Sequence, residues 1–151
     1  MIQLDQVLSA ERVYTGAFGV SKKRVLQSLA ERLAASLDGV GEVDLFDQLI
    51  ARERLGSTGL GQGIAVPHCR LAQIERPIAA LAKLDEAVDF ESPDRKPVDL
   101  LFVLVVPEAA TDDHLNLLAA VVERFNDSAL VKSLRQAADS QTLYQQFIQG
   151  L

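Results

Sequence analysis

Apolar residues recur at helical spacing in the first third of the chain. After Ser21, leucine and valine residues repeat every three or four positions up to about Leu37, and Gly39 follows. This pattern predicts an amphipathic helix with Ser21 as its N-cap. A second helix is predicted from about Val43 to Leu55, and one face of it carries Leu45, Phe46, Leu49 and Ile50.

The middle of the chain changes to short, nearly continuous apolar runs. Strands are predicted at Ile64 to Val66, Ile78 to Leu84 and Val98 to Val106, and Pro107 ends the third. The third run is apolar at almost every position, as expected for a strand that is covered on both faces.

Helical spacing returns after the third strand. Helices are predicted at about Asp112 to Asn126, Ala129 to Ala138 and Gln141 to Gln149, with Thr111, Ser128 and Ser140 as N-caps. No repeat or linker divides the sequence. Helices before and after the strands therefore predict one α/β unit with helices on both faces of one sheet.

Charge and cysteine content narrow the possible partners and compartment. The formal net charge is −6, which argues against nucleic acid as the main partner because phosphate neutralisation needs a basic surface. The single cysteine, Cys69, excludes an internal disulfide and indicates the reducing cytoplasm.

No apolar run reaches the roughly 20 residues of a membrane helix. The N-terminus also lacks the basic and apolar regions of a signal peptide.

A glycine-rich loop directly precedes one of the two histidines. Its glycines are at positions 56, 59, 61 and 63, and Val66, Pro67 and His68 follow. The spacing matches neither a Walker A loop nor a dinucleotide fingerprint. A flexible turn is the alternative interpretation.

His68 is the candidate nucleophile. Pro67 favours extended backbone at Val66, so the strand is predicted to end there with His68 at its rim. A neutral imidazole is a competent nucleophile near neutral pH, and its attack on phosphorus gives a labile phosphoramidate. A surface histidine that merely follows a strand is the alternative.

Three other side chains are candidates to assist His68. Arg52, near the end of the second predicted helix, could bind a phosphoryl group through paired donors. Arg54 should point to a different side of that helix. His114 opens the helix after the long strand, where ligands gather in α/β sheets, and Arg70 is a further phosphate-contact candidate.

Cys69 suggests two other chemistries. Neighbouring residues of an extended chain point to opposite sides, so His68 is poorly placed as a base for a Cys69 nucleophile. A zinc site formed by His68, Cys69 and His114 lacks a fourth ligand at suitable spacing. Neither chemistry is favoured, and no metal is expected.

The segment Leu-Gly-Ser-Thr-Gly-Leu-Gly-Gln-Gly-Ile-Ala-Val-Pro-His, residues 55–68, resembles the active-site signature of a known family. It is similar to the phosphotransferase-system enzymes IIA of the fructose–mannitol class, above all their nitrogen-regulatory branch. The resemblance extends over essentially the whole chain, including Leu134-Arg135 and Leu143-Tyr144 near its end. It implies one type 2 IIA domain over residues 1–151, with a mixed sheet of roughly five strands.

The resemblance also implies roles for particular residues. The phosphorylated histidine maps onto His68, the active-site arginine onto Arg52 and a second, non-phosphorylated histidine onto His114. Contacts to the phosphoryl group or to a partner protein are expected from Gly61, Gln62, Gly63 and Arg70. This chain departs from the family pattern at two positions. Many relatives have glycine in place of Cys69, and sugar-transporting relatives often have glutamate in place of Gln62.

The partners follow from the same resemblance. Relatives accept a phosphoryl group on Nε2 from a histidine phosphocarrier protein, which an enzyme I charges from phosphoenolpyruvate, and no other cofactor is implied. The nitrogen branch implies regulation of target proteins, such as potassium-transport or kinase proteins, by phosphorylation state. The alternative is a sugar-transport component that passes the phosphoryl group to a IIB protein.

Overall fold

The computed structural model describes residues 2–109 and 111–151. The strands are β1 (Leu8–Gly16), β2 (Gly59–Gly61), β3 (Ile64–Ala65), β4 (His68–Leu71), β5 (Ile78–Val88) and β6 (Val98–Pro107). The helices are α1 (Leu4–Val7), α2 (Lys22–Ala35), α3 (Glu42–Leu55), α4 (Asp112–Phe125), α5 (Ser128–Gln136) and α6 (Ser140–Ile148).

The strands form one mixed sheet around β6. Strand β5 pairs with β6 in antiparallel orientation, and β3 and β4 pair with the other edge of β6 in parallel orientation. Strand β1 lies parallel to β5 on the outside, and β2 lies antiparallel to β3. The sheet therefore has six strands, where roughly five were expected.

Helices cover both faces of this sheet, as predicted. Alternate residues of β6 point to opposite faces, because side chains alternate along a strand. Leu101 and Val103 pack with α2 and α3 in one hydrophobic core. Leu100 and Phe102 pack with α1, α4, α5 and α6 in the other.

Strands β3 and β4 together form one interrupted strand beside β6. Ala65 pairs with Leu101 and His68 pairs with Leu104, so the register is the same on both sides of the interruption. Pro67 has no N–H to donate, but its carbonyl accepts a hydrogen bond from the Leu104 N–H. The prediction that a strand ends before Pro67 is confirmed, because β3 ends at Ala65. The predicted place of His68 at the rim is wrong, because pairing with β6 resumes at His68.

The helix boundaries agree with the sequence pattern except at two caps. The Ser21 hydroxyl accepts a hydrogen bond from the Arg24 N–H, and Thr111 is the N-cap of α4. The N-caps predicted at Ser128 and Ser140 are wrong. Asp127 and Asp139 precede them, and carboxylates at those positions accept hydrogen bonds from the first-turn N–H groups of α5 and α6.

Several short or irregular elements were not predicted. Strand β1 is the largest of them, and a register shift between Leu8 and Val13 breaks the alternation by which a strand is recognised. The charged residues Glu11 and Arg12 lie within that shift. Strands β2 and β4 and helix α1 each contain four residues or fewer, too few for a periodic pattern.

None of the helices in the described part of the chain is both long and apolar enough to cross a membrane.

Replacing Phe102 with alanine tests the core beneath α4 and α6. The Phe102 ring is fully buried, and its centroid lies 5.2 Å from that of Phe147. We expect the free energy of unfolding to fall by about 3–5 kcal/mol in urea denaturation. Val20→Ala is the control, since Val20 is 91% exposed and should change stability by less than about 0.5 kcal/mol. Equal effects of the two variants would contradict this packing.

Candidate active site

The structure brings His68, Arg52 and His114 together at one cavity. The cavity has a volume of about 490 Å³ and lies between the end of α3, strand β4 and the start of α4. Its lining residues are Gln48, Ala51, Arg52, Leu55, His68, Cys69, Arg70, Leu104, Val106, His114, Leu115 and Leu118. Residues distant in sequence thus meet because α3 ends beside β4 and α4 begins beside it.

Hydrogen bonds at both ring nitrogens define the state of the His68 imidazole. Nδ1 lies 2.7 Å from the Val66 carbonyl oxygen, which can only accept, so Nδ1 carries the proton. Nε2 accepts a hydrogen bond of 3.3 Å from the Arg52 Nε–H, so Nε2 has the free electron pair. The ring is therefore a neutral imidazole whose nucleophilic nitrogen is Nε2.

The surroundings of His68 favour this neutral form. Burial lowers the pKa of His68 below its ordinary value of 6.5, and the positive charge of Arg52 lowers it further. The hydrogen bond to the Val66 carbonyl and the negative charge of Glu53 raise the pKa and oppose part of the shift. The net direction keeps the Nε2 electron pair available at neutral pH.

Arg52 is held in place by the end of its own helix. Its Nη1 donates a 2.9 Å hydrogen bond to the carbonyl of Gly56, the residue that follows α3. Its Nε faces His68, and the guanidinium thereby lies beside the His68 ring. Arg54 lines a different depression together with Lys22 and Glu53, so it points elsewhere, as predicted.

His114 is oriented by the first turn of α4. Its Nδ1 accepts a 3.2 Å hydrogen bond from the Thr111 N–H. In the neutral ring the proton is then on Nε2, which makes His114 a hydrogen-bond donor through that atom.

Arg70 and several leucines form the rim of the cavity. The Arg70 Nη1 donates a 3.2 Å hydrogen bond to the Glu108 carbonyl, which ties β4 to the segment after β6. Leu55 is 84% exposed and Leu115 is 54% exposed. Exposed apolar side chains beside a charged group are typical of a surface that contacts another protein.

The structure does not bring Gly61, Gln62 and Gly63 to this cavity, since none of the three is among its lining residues. Their polar backbone groups are bound elsewhere. The Gln62 N–H donates to the Asp94 carboxylate at 2.9 Å, and the Gln62 carbonyl accepts from Arg135. All three residues have positive φ, so this part of the loop is a tight, internally bonded turn.

Cys69 lines the cavity, but its environment disfavours nucleophilic chemistry. The thiol packs in the core under α2 and α3, and burial raises its pKa to about 12. Thiolate is the reactive form of cysteine, so Cys69 is a buried apolar side chain at neutral pH. His68, Cys69 and His114 line one cavity, yet across residues 2–109 and 111–151 no three histidine, cysteine or acidic side chains are placed to hold one metal ion.

Glu53 is the residue of this region that was not singled out from the sequence. It is a buried carboxylate, 5% exposed, at the end of α3. The helical spacing could have indicated its burial. Leu45, Leu49 and Glu53 follow each other at intervals of four, so a charged residue falls on the buried face of the helix.

Comparison with known proteins agrees with the signature found in the sequence. The family model described as "Phosphoenolpyruvate-dependent sugar phosphotransferase system, EIIA 2" matches residues 6–150. The chain belongs to this family.

Similar members of the IIA family carry the name nitrogen regulatory protein. That of Pseudomonas aeruginosa is 47% identical over 96% of this chain and 94% of the relative. That of Escherichia coli K12 is 37% identical over 95% of this chain and 88% of the relative. The resemblance to the nitrogen-regulatory branch is thereby confirmed.

Solved structures of the family have the same fold. The nitrogen regulatory protein IIA-Ntr from Neisseria meningitidis superposes with a TM-score of 0.87 at 34% identity, covering 94% of this chain and 97% of that one. The mannitol IIA protein of Escherichia coli has a TM-score of 0.76 at 18% identity, covering 92% of this chain and 97% of that one.

Cys69 should resist alkylation in the folded protein. Because its pKa is about 12, almost no thiolate exists near pH 8, and burial also blocks the reagent. We expect intact mass to show no iodoacetamide adduct in buffer and one adduct in concentrated urea. Rapid labelling of the native protein would contradict the described burial.

The lowered pKa of His68 should make folding stability depend on pH. The unfolded imidazole binds a proton near pH 6.5, whereas the folded one binds it only at lower pH. The contribution is therefore present above about pH 6.5 and is lost as pH falls through the folded pKa. Urea midpoints between about pH 5 and 8 should show this dependence in the wild type and lack it in His68→Gln.

Proposed function

We propose that this protein accepts a phosphoryl group on His68 Nε2 and regulates partner proteins through its phosphorylation state. The observation that carries the proposal is the state of the His68 ring. A neutral imidazole presents the Nε2 electron pair to a cavity that also contains a guanidinium and a second histidine. Membership of the phosphotransferase-system IIA family supports it.

The proposed step is a reversible transfer between two histidines. The Nε2 electron pair of His68 attacks phosphorus, the P–N bond to the carrier's imidazole breaks, and that imidazole leaves with the electron pair. The Nδ1 proton of His68 remains in place, and its hydrogen bond to the Val66 carbonyl at 2.7 Å stabilises the positive charge that develops on the ring. No metal or cofactor takes part.

Arg52 and His114 are the proposed electrostatic partners. When Nε2 forms its new bond, it can no longer accept the hydrogen bond from Arg52, so the guanidinium is free to bind a phosphoryl oxygen. His114 would donate its Nε2–H to a second oxygen. Positioning and charge stabilisation are most of what phosphoryl transfer requires from a protein.

A histidine phosphocarrier protein, charged by an enzyme I, is the proposed donor. Leu55 and Leu115 at the rim offer it an apolar contact beside the nucleophile. Arg70 lies at the same rim and is a further candidate contact. The Gln62 N–H, the Gln62 carbonyl and the Gly63 carbonyl already have partners within the chain. None of Gly61, Gln62 and Gly63 lines the cavity, so we assign these residues to shaping the loop rather than to phosphoryl contact.

We place the regulatory role ahead of sugar transport because the named relatives above are nitrogen regulatory proteins. We propose regulated targets such as potassium-transport or kinase proteins, in the cytoplasm. A IIB protein is the alternative acceptor, and a complex with phosphorylated IIB is known for the mannitol IIA protein of Escherichia coli. If the role is sugar transport, a IIB protein added to the phosphorylated chain should take over the phosphoryl group. If the role is regulatory, the phosphoryl group should stay on this chain.

Phosphorylation by phosphoenolpyruvate, an enzyme I and its phosphocarrier tests the proposal. We expect intact mass to show one acid-labile phosphoryl group on the wild type and none on His68→Gln, which lacks the nucleophile. Arg52→Ala should be phosphorylated on the order of 10²-fold more slowly, as for loss of a transition-state donor. His114→Gln should be slower on the order of tenfold.

Cys69→Ser is the matched control beside the nucleophile. It should be phosphorylated like the wild type, because the thiol has no part in the proposed step. A phosphoryl group that persists on His68→Gln, or none on the wild type with cognate carriers, would overturn the proposal.

A further inference from the structure

We propose that Glu53 is a positioning residue that fixes the ring of His68 through a chain of hydrogen bonds, with Lys22 and Thr58 as its partners. The inference rests on the proposed role of His68 as the phosphoryl acceptor. Glu53 is not among the residues that line the cavity. It acts through the backbone that surrounds the nucleophile.

Glu53 is a buried charge with three polar partners. Its side chain is 1% exposed, and Oε2 lies 2.8 Å from the Lys22 Nζ. The Thr58 N–H donates to both carboxylate oxygens at 3.3 Å, and the Thr58 hydroxyl donates to Oε1. A carboxylate in the protein interior is costly unless it is paired in this way, so its presence calls for an explanation beyond packing.

The first route from Glu53 to His68 runs through Thr58 and Val66. The two contacts with Glu53 fix the position of the Thr58 backbone. The Thr58 carbonyl accepts a 3.0 Å hydrogen bond from the Val66 N–H. The Val66 carbonyl in turn binds His68 Nδ1 at 2.7 Å. The same Val66 residue thus connects the buried carboxylate to the nitrogen that holds the ring proton.

The second route runs through the end of α3. Glu53 is the neighbour of Arg52, and its carbonyl accepts a 3.1 Å hydrogen bond from the Gly56 N–H. The Gly56 carbonyl accepts the Arg52 Nη1 hydrogen bond at 2.9 Å. Anchoring Glu53 to α2 through Lys22 therefore also fixes the guanidinium that faces His68 Nε2.

The two routes meet on opposite nitrogens of one ring. One sets the acceptor at Nδ1 and the other sets the donor at Nε2, so together they select the tautomer with the electron pair on Nε2. The hydrogen bond that each ring nitrogen makes sets which of the two carries the proton. Glu53 is therefore assigned to keeping His68 in its nucleophilic form.

Nitrogen-15 NMR of the imidazole rings tests the assignment directly. In the wild type, His68 should show a protonated Nδ1 and an unprotonated Nε2. Thr58→Val keeps the side-chain shape but removes the hydroxyl that binds Glu53. We expect it to populate the other tautomer and to accept the phosphoryl group about two- to tenfold more slowly, the effect of losing one hydrogen bond. Thr58→Ser should restore both properties.

Asp139→Ala is the control that separates a general loss of stability from a specific effect on the His68 ring. It removes the N-cap of α6, far along the chain from this network, and should lower the melting temperature without changing the His68 nitrogens or the transfer rate. Glu53→Gln is the second variant and should behave like Thr58→Val.

Two results would overturn the assignment. One is a wild-type His68 with its proton on Nε2, a measurement that needs no variant to fold. The other is a folded Thr58→Val protein with wild-type nitrogen shifts. If the nitrogens respond as expected but the wild type accepts no phosphoryl group, the proposed function fails while the positioning role stands.

Discussion

The hydrogen-bonding requirement of one buried strand determines where the other elements lie. Strand β6 is covered on both faces, so its backbone groups need partners on both edges. Strand β5 satisfies one edge, and the interrupted pair β3 and β4 satisfies the other. Because the register with β6 continues across the break, the chain must pass Pro67 and resume pairing at His68. The proposed nucleophile is thus held by backbone pairing with the central strand.

The site around this histidine works through charge arrangement rather than through a dedicated base. A carbonyl oxygen holds the ring proton on one side, and a guanidinium faces the electron pair on the other. Burial and Arg52 both favour the uncharged ring. In the proposed transfer, the positive charge of Arg52 is consequently next to His68 before the phosphoryl group arrives, which is the preorganisation that phosphoryl transfer depends on.

Long periodic segments and the site motif could be predicted from the sequence, whereas connections and short elements could not. Helix α3 was predicted because Leu45 and Leu49 repeat at helical spacing. Strand β6 was predicted because its run is apolar at almost every position, Asp99 excepted. Strand β1 was missed because its register shift removes the alternation. His68, Arg52 and His114 line one cavity through tertiary packing. Their positions at element ends made Arg52 and His114 candidates, and the family resemblance added their roles. The hydrogen bonds that turn residues 61–63 away from the cavity involve Asp94 and Arg135, which no local pattern connects to them.

The pairing of Lys22 with Glu53 also has an evolutionary consequence. The two side chains are 14% and 1% exposed, so a substitution at either position leaves the other charge buried without its main partner. Removing one member of a buried pair is far more damaging than replacing both by apolar residues. Single-step paths away from this pair therefore pass through a poorly folded intermediate, and the two positions are constrained to change together, although they lie 31 positions apart in the sequence.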